Sequence, residues 1–331
     1  MSIRQITYKP AHQLKVNGRD ISDTTQSRLV RLTLVDHGGS KSDQLTMVLD
    51  DHDGRLAIPP RKARIQLALG WQGQHLADKG EFIVDEAGHS GPPDQLTIVA
   101  RSANFTSNFS EKTTKSWHQV TVGDILKTIA EKHGLDPAIS EILAERAIEH
   151  IDQTNEGDAN FLTRLGKRYG AMASVKNGRL IFKTKGDGLT VSGIKLPATT
   201  VKKRDCSLHR YNDNSQDQYT GVKCYWHNKE TGNKSTIVLG EEGKVKTLRS
   251  SLPTKEEAEH VAAAEWQQLQ RAGQTLSLTL STAIPELLVE SPITVKEFKP
   301  EINSQDWVGK NITHIVGSGY TQRIDLEVKL P

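Results

Sequence analysis

Two cysteines and two histidines recur at matching short spacings, Cys206-x2-His209 and Cys224-x2-His227. Two thiols and two imidazoles are a donor set for tetrahedral zinc, and paired short spacings are typical of such sites. The surrounding residues argue against a metal. Both pairs lie in strand-like text, where residues three apart point to opposite faces. Neither Cys-Ser-Leu-His nor Cys-Tyr-Trp-His carries the glycine turn of a zinc knuckle. The expectation is buried free thiols in a reducing compartment, with no metal and no cofactor.

Other chemical signatures fail on spacing. In Asp50-Asp51-His52-Asp53-Gly54, aligning Gly54 with the glycine of a calcium loop puts Leu49 at the first ligand and Pro60 at the last. The run reads instead as a solvated β turn. Gly232-Asn233-Lys234-Ser235 lacks the partner glycine of a phosphate loop. Gly317-Ser318-Gly319 has Val316 where a nucleophile elbow needs glycine. Glu259-His260 sits on a helix without the second histidine of a zinc protease, and Glu256-Glu257 is explained by helix N-terminal charge. Two distant carboxylates could still hydrolyse a glycoside, yet nothing marks such a pair, and the expectation is a non-enzyme. Lys202-Lys203-Arg204 is followed at once by Asp205 and reads as a solvated face, not a nucleic-acid patch.

The chain has 331 residues, 43 basic against 40 acidic, 35% hydrophobic and 5% aromatic. A net charge of +3 is too small to imply a polyanionic partner or specific nucleic-acid binding. No apolar run approaches the ~18 residues of a spanning helix. Met1 to Thr7 lack the apolar stretch of a secretory leader. The expectation is a soluble, cytoplasmically made chain with a length prior of about two domains.

The elements that would position any site are mostly strands. Period-two alternation runs through Leu29–Val35, Leu45–Leu49, Arg64–Leu69, Glu81–Asp85 and Gln95–Ala100, each closed by a turn cluster. The period then changes to helical. Val122, Ile125, Leu126, Ile129 and Ala130 share a face, with Thr121 as N-cap, Asp124 three residues on, and Gly134 as the stop. A second helix runs from Asp158 to Tyr169 with Gly170 as its stop, and a shorter one spans 139–147. Lys176-Asn177-Gly178-Arg179 reads as a tight hairpin turn. Strands return at Tyr219–Trp226 and Lys234–Leu239. A helix over 254–272 follows, with Thr254 and Glu257 as a capping box, Ala258, Val261, Ala262, Trp266 and Leu269 inward, and Gly273 closing it. Strands resume at Thr275–Leu280, Ile293–Phe298, Asn311–Val316 and Arg323–Leu330. The order strand, proline connection, strand, strand, glycine turn, strand occurs in 45–100 and again in 275–330. That internal echo suggests two related β-barrels.

An ordered series of further motifs carries a family resemblance. Asn17-Gly18-Arg19-Asp20-Ile21, Leu32-Thr33-Leu34-Val35-Asp36, Asp50-Asp51, Pro59-Pro60, Leu69-Gly70-Trp71, Gly80-Glu81-Phe82-Ile83-Val84-Asp85-Glu86 and Gly91-Pro92-Pro93 come first. Lys115-Ser116-Trp117, then Gln153-Thr154-Asn155-Glu156-Gly157-Asp158 leading into Phe161-Leu162, and Thr254-x-Glu256-Glu257-Ala258 through Trp266 complete it. The chain resembles the late control D family, the baseplate hubs of contractile phage tails, which are related to the hub part of type VI secretion spike proteins. Gly157 replaces the family's serine, which affects local capping.

The resemblance implies two similar antiparallel β-barrels flanking a small α+β, LysM-like module: residues 1–112, 113–188 and 189–331. It implies a homotrimer forming a pseudo-sixfold ring that joins the tail tube protein to a central spike protein amid other baseplate proteins. The location implied is the virion baseplate, assembled in the host cytoplasm, with no membrane partner. Because the chain stops at Pro331, the spike is expected to be a separate polypeptide. Thr121 through Gly134 also resembles the opening of a LysM module, so the alternative is peptidoglycan binding through segment 120–180.

Overall fold

The structure is a computed structural model that describes residues 8–39, 41–102, 107–176, 178–214, 219–227, 232–241 and 243–330. The leader reading at Met1–Thr7 and the turn residue Asn177 lie outside these. The N-terminal part holds β1 (Pro10–Val16), β2 (Arg19–Asp20), α1 (Ser22–Arg28), β3 (Leu29–His37), β4 (Gln44–Asp50), β5 (Arg64–Trp71), β6 (Ala77–Ser90) and β7 (Gln95–Ser102). The middle holds β8 (Lys112–Thr121), α2 (Val122–Lys132), β9 (Asp136–Ile139), α3 (Glu141–Ala144), β10 (Ala147–Gly157), α4 (Asp158–Tyr169), β11 (Ala171–Lys176) and β12 (Arg179–Thr184). The C-terminal part holds β13 (Thr199–Lys202), β14 (Cys206–Asp213), β15 (Gly221–His227), β16 (Lys234–Gly240), β17 (Val245–Leu252), α5 (Lys255–Gly273), β18 (Gln274–Leu280), β19 (Pro292–Lys296), α6 (Pro300–Asn303), β20 (Trp307–Val316) and β21 (Tyr320–Val328).

The protein is mainly β, and the internal echo is borne out strand by strand. The N-terminal barrel runs β3-β4-β7-β6-β5-β1, and the C-terminal one runs β14-β18-β21-β20-β19-β13. Two irregularities recur at the same places, while the shift between Gln66 and Ala68 of β5 is confined to the first copy. Register shifts occur between Leu29 and Arg31 in β3 and between Cys206 and Leu208 in β14. They occur again between Val84 and Glu86 in β6 and between Gly309 and Asn311 in β20. A bulge bends its strand, so matching bulges give matching curvature. The cores correspond too: Leu45, Met47 and Leu49 of β4 match Leu276, Leu278 and Leu280 of β18, and all six are buried. Each such side chain contributes roughly 1.5–3 kcal/mol of transfer free energy.

The copies differ in two ways that the strand pattern did not reveal. β1 pairs β5 antiparallel, whereas β13 pairs β19 parallel. Between β14 and β18 the chain also leaves the barrel. There β16, β15 and β17 form their own three-stranded sheet, which corrects the reading of 219–226 and 234–239 as strands of the second barrel. α5 packs on it through Ala258 and Ala262 against Val222, Cys224 and Leu252. Thr254 is its N-cap, with Oγ1 accepting from the Glu257 amide at 3.2 Å, but the expected capping box is not completed, because the Glu257 carboxylate turns to Arg168. Its far end also differs, because the chain passes straight into extended Gln274 without a left-handed residue at Gly273.

One sheet spans both copies. β20 pairs β3 antiparallel from Asn311–His37 to Val316–Leu32, joining the barrels into a 13-stranded sheet. Val316, Tyr320 and Ala283 from the second copy pack into the core of the first. Gly38 lies at this seam, and its amide donates to the Lys310 carbonyl at 2.9 Å.

The middle module is α+β, with β8 and β10 antiparallel and a separate sheet β11-β12-β9. Its core centres on Val122, Ile125 and Leu126 of α2, Phe161 and Leu162 of α4, and Phe182. The Thr121–Asp124 capping box forms in both directions, and Gly170 takes the left-handed conformation that ends α4. The short helix shrinks to the single turn of α3. No helix among the described residues is long and apolar enough to cross a membrane.

Candidate assembly surface

The residues singled out for zinc chemistry are placed in two different sheets. Cys206 and His209 lie on β14, and Cys224 and His227 on β15. Cys206 is half-buried and its Sγ faces the Lys202 carbonyl at 3.7 Å; burial and Asp205 push its thiol up to about 11. Cys224 is fully buried in the α5 core, and burial raises its thiol as well. His209 stacks edge-on against Phe298 at 5.3 Å, and His227 is exposed. No group of three or more histidine, cysteine or acidic side chains suited to a metal occurs among the described residues.

The acidic turn departs from its reading as fully solvated. Asp51 is buried, and its Oδ1 accepts from the Leu56 amide at 2.9 Å. Asp53 is held by both Arg28 guanidinium nitrogens, at 2.7 and 2.6 Å, and that bidentate pair pulls its carboxyl far below the usual range. The run closes one end of the first barrel. Lys203 and Arg204 are exposed, in a short turn capped by Asp205.

The buried charges form ties between the parts of the chain. Lys176, at the end of β11, reaches Asp36 Oδ1 at 2.8 Å and Asp43 Oδ2 at 3.2 Å, fastening the middle module to the first barrel. Burial, with Asp36 beside it, raises the Asp43 carboxyl to about 6. Burial opposes the Lys176 charge, but the two carboxylates outweigh it and raise its ammonium. Arg168 of α4 pairs with buried Glu257 of α5, fastening the module to the second part. Arg271, Lys185 and Lys310 surround Glu327 at 3.8, 3.4 and 3.9 Å. Glu290 accepts from the Gly186 amide. Sequence reading missed all of these, because Lys176–Asp36 and Arg168–Glu257 join residues with no local pattern in common. Each of these carboxylates holds a cation or an amide, while Glu257 Oε2 and Glu290 Oε1 stay buried without a hydrogen-bond partner.

The open depression beside β1 and β2 is lined by His12, Gln13, Asp20, Ser22, Ala68 and His75, and within it Ser22 Oγ donates to Asp20 Oδ1 at 2.5 Å. What the surface does present is strand edge. Among the described residues β14 ends the long sheet and pairs only β18, with Leu208, His209 and Arg210 exposed. Beyond Val84, β6 pairs only β7 among the described residues, and residues 88–90 are exposed.

A duplicated barrel welded through one seam, braced by buried ion pairs and ending in open edges, defines a scaffold for assembly. Comparison with known proteins gives the particular family. Residues 75–320 match the family model described as phage tail baseplate hub (GPD). The chain is 35% identical to a probable baseplate hub protein of Escherichia phage 186, over 97% of this chain and 93% of that one. A tail protein from Neisseria meningitidis MC58 superposes with a TM-score of 0.70 at 13% identity, covering 97% of each chain. An Escherichia coli component of the type VI secretion system superposes at 0.54 with 12% identity, over 98% of this chain and 75% of that one. The chain belongs to the phage tail baseplate hub family. These comparisons lend no support to glycan binding through 120–180, where β9 stands between α2 and α3.

Proposed function

We propose that this hub acts as a homotrimer whose six barrels form a pseudo-sixfold ring, joining a sixfold tail tube protein to a threefold spike protein. The observation that carries the reading is the duplication itself. Two copies of one strand order, bulges included, let three chains present six similar faces to one partner and three identical chains to the other. The division into units 1–112, 113–188 and 189–331 belongs to the same proposal, with the middle module held on the ring by Lys176 and Arg168. The role is structural and non-enzymatic, exercised in the virion baseplate after assembly in the host cytoplasm.

The mechanism is interface burial. A +3 chain does not grip nucleic acid, which suits a ring around a channel. The test is native mass measurement of the protein alone and co-expressed with its spike protein. The expected species contains three 36.6 kDa chains, about 110 kDa before the spike is added. Spike binding can drive trimer formation by mass action, so the decisive sample is the co-expressed one. A hub that forms no trimer with the spike present contradicts the proposal.

A further inference from the structure

The seam inside the chain is a template for a seam between chains. β3 of the first barrel is paired on both sides, to β4 and to β20. Among the described residues its counterpart β14 is paired on one side only, to β18. Likewise β20 uses residues Asn311–Val316 to pair β3, while the corresponding stretch of β6 pairs no strand on that side among the described residues. The copies therefore leave one unused β14 edge and one unused β6 edge, which are the two halves of the internal junction.

The matching bulges fix the register. Through the β4 and β18 ladders, Leu32 corresponds to His209 and Leu34 to Tyr211. Through the hairpins, His314 corresponds to His89 and Thr313 to Gly88. In the internal seam His314 faces Leu34 and Thr313 faces Val35. We infer that β14 of one hub chain pairs antiparallel with residues 86–90 of β6 in the next, placing His89 opposite Tyr211, Gly88 opposite Asn212 and Ser90 opposite Arg210. The occupant of each edge is a second copy of this chain. The contact is head-to-tail, and such contacts generate closed rings when the rotation allows.

Surface chemistry agrees with this occupant. An open strand edge is a template for pairing, and proteins ordinarily blunt it. Residues 208–210 of β14 nevertheless carry exposed Leu208, His209 and Arg210, and Leu208 is 66% exposed. Gly88 has nothing within 4 Å of a Cβ, so a neighbouring backbone can approach it. The inference rests on the trimeric reading above and names its interface.

The test is disulfide trapping in a Cys206→Ser background, with the chain co-expressed with its spike protein. Opposed residues in antiparallel strands lie within disulfide reach. Gly88→Cys combined with Asn212→Cys is expected to shift the denatured, non-reduced protein from one chain mass to three. Either single variant stays at one chain mass, and mixing the two single variants gives a cross-linked pair. Gly88→Cys with Tyr211→Cys, one residue out of register, is expected to stay uncross-linked because its side chains emerge on opposite faces. Amide exchange on the unaltered protein gives a second reading, with slowing at 86–90 and 210–214 on trimer formation. A trimer by mass without cross-linking or slowing overturns this interface and leaves the hub reading intact. Cross-linking that ignores register overturns it also, and a chain that stays monomeric with spike present overturns both.

Discussion

Leu32 and His209 occupy the same position in the two copies of the barrel, yet Leu32 is fully buried and His209 is exposed. Leu32 has Met47 on one side and Val316 on the other, whereas among the described residues His209 has a strand partner, Leu278, on one side only. The difference is the missing neighbour strand, and it separates folding from assembly. Leu32→Ala should cost about 2–5 kcal/mol in chemical denaturation of the isolated chain. His209→Ala should cost less than about 1 kcal/mol there, since it loses only the Phe298 edge contact.

Gly38 meets the Lys310 carbonyl so closely that an added Cβ would lie 2.5 Å from it. That oxygen is backbone at a bulge of β20 and cannot swing aside. Gly38→Ala should destabilise the chain by roughly 1–3 kcal/mol, as overpacking does. Gly319→Ala, where nothing lies within 4 Å, should stay within about 0.5 kcal/mol. Urea unfolding of both variants is the check, and equal losses would contradict the seam as drawn.

Asp43 carries a folded-state pKa of about 6, above its ordinary 3.8, through burial and the neighbouring Asp36. Between those two pH values the folded chain binds more protons than the unfolded one. Its contribution to stability therefore falls as pH rises from about 4 to about 6, then levels off. Asp43→Asn keeps the acceptor for the His37 amide and should remove this slope, on the order of 1–3 kcal/mol across the window. Denaturation midpoints at pH 4, 5, 6 and 7 decide it; a variant with the same slope would refute the assignment.

His314 is buried, and desolvation holds its pKa well below 6.5 while its Nδ1 faces the Tyr320 hydroxyl at 2.8 Å. The unfolded histidine takes up a proton that the folded one refuses. Stability from this group is full above pH 6.5 and declines as pH falls. His314→Gln should flatten that decline, read from the same pH series, and a steeper decline would contradict it.

Arg168 and Glu257 join α4 to α5 with Glu257 buried, and burial lifts its carboxyl despite the arginine. Removing one partner, as in Arg168→Met, should cost about 3–5 kcal/mol by stranding the other charge. Arg168→Met with Glu257→Gln should cost distinctly less than the sum of the single changes. A double-mutant cycle measures this, and additive losses would show that the pair does not couple the two parts.

Much of the fold was legible locally. The caps at Thr121 and Thr254 and the stop at Gly170 are short-range chemistry, and each forms as the residues dictate. Alternation marked β3, β4, β5, β7 and β18 because one face of each is core. Failures came where that asymmetry is lacking. α1 reads Ser-Asp-Thr-Thr-Gln-Ser-Arg, with no apolar face, and β14 and β17 are largely exposed. Which strands share a sheet was beyond reach, since β3 and β20 meet across nearly the whole chain. The assembly surface was hidden for the same reason: an open edge is defined by what fails to pair with it.

The most direct test of the account is an electron cryomicroscopy reconstruction of the hub bound to its spike protein, computed without imposed symmetry. The account predicts six similar barrel densities around a channel, alternating between N-terminal and C-terminal copies, with true threefold symmetry. Any other number of barrels, or two like copies as neighbours in the ring, would contradict it.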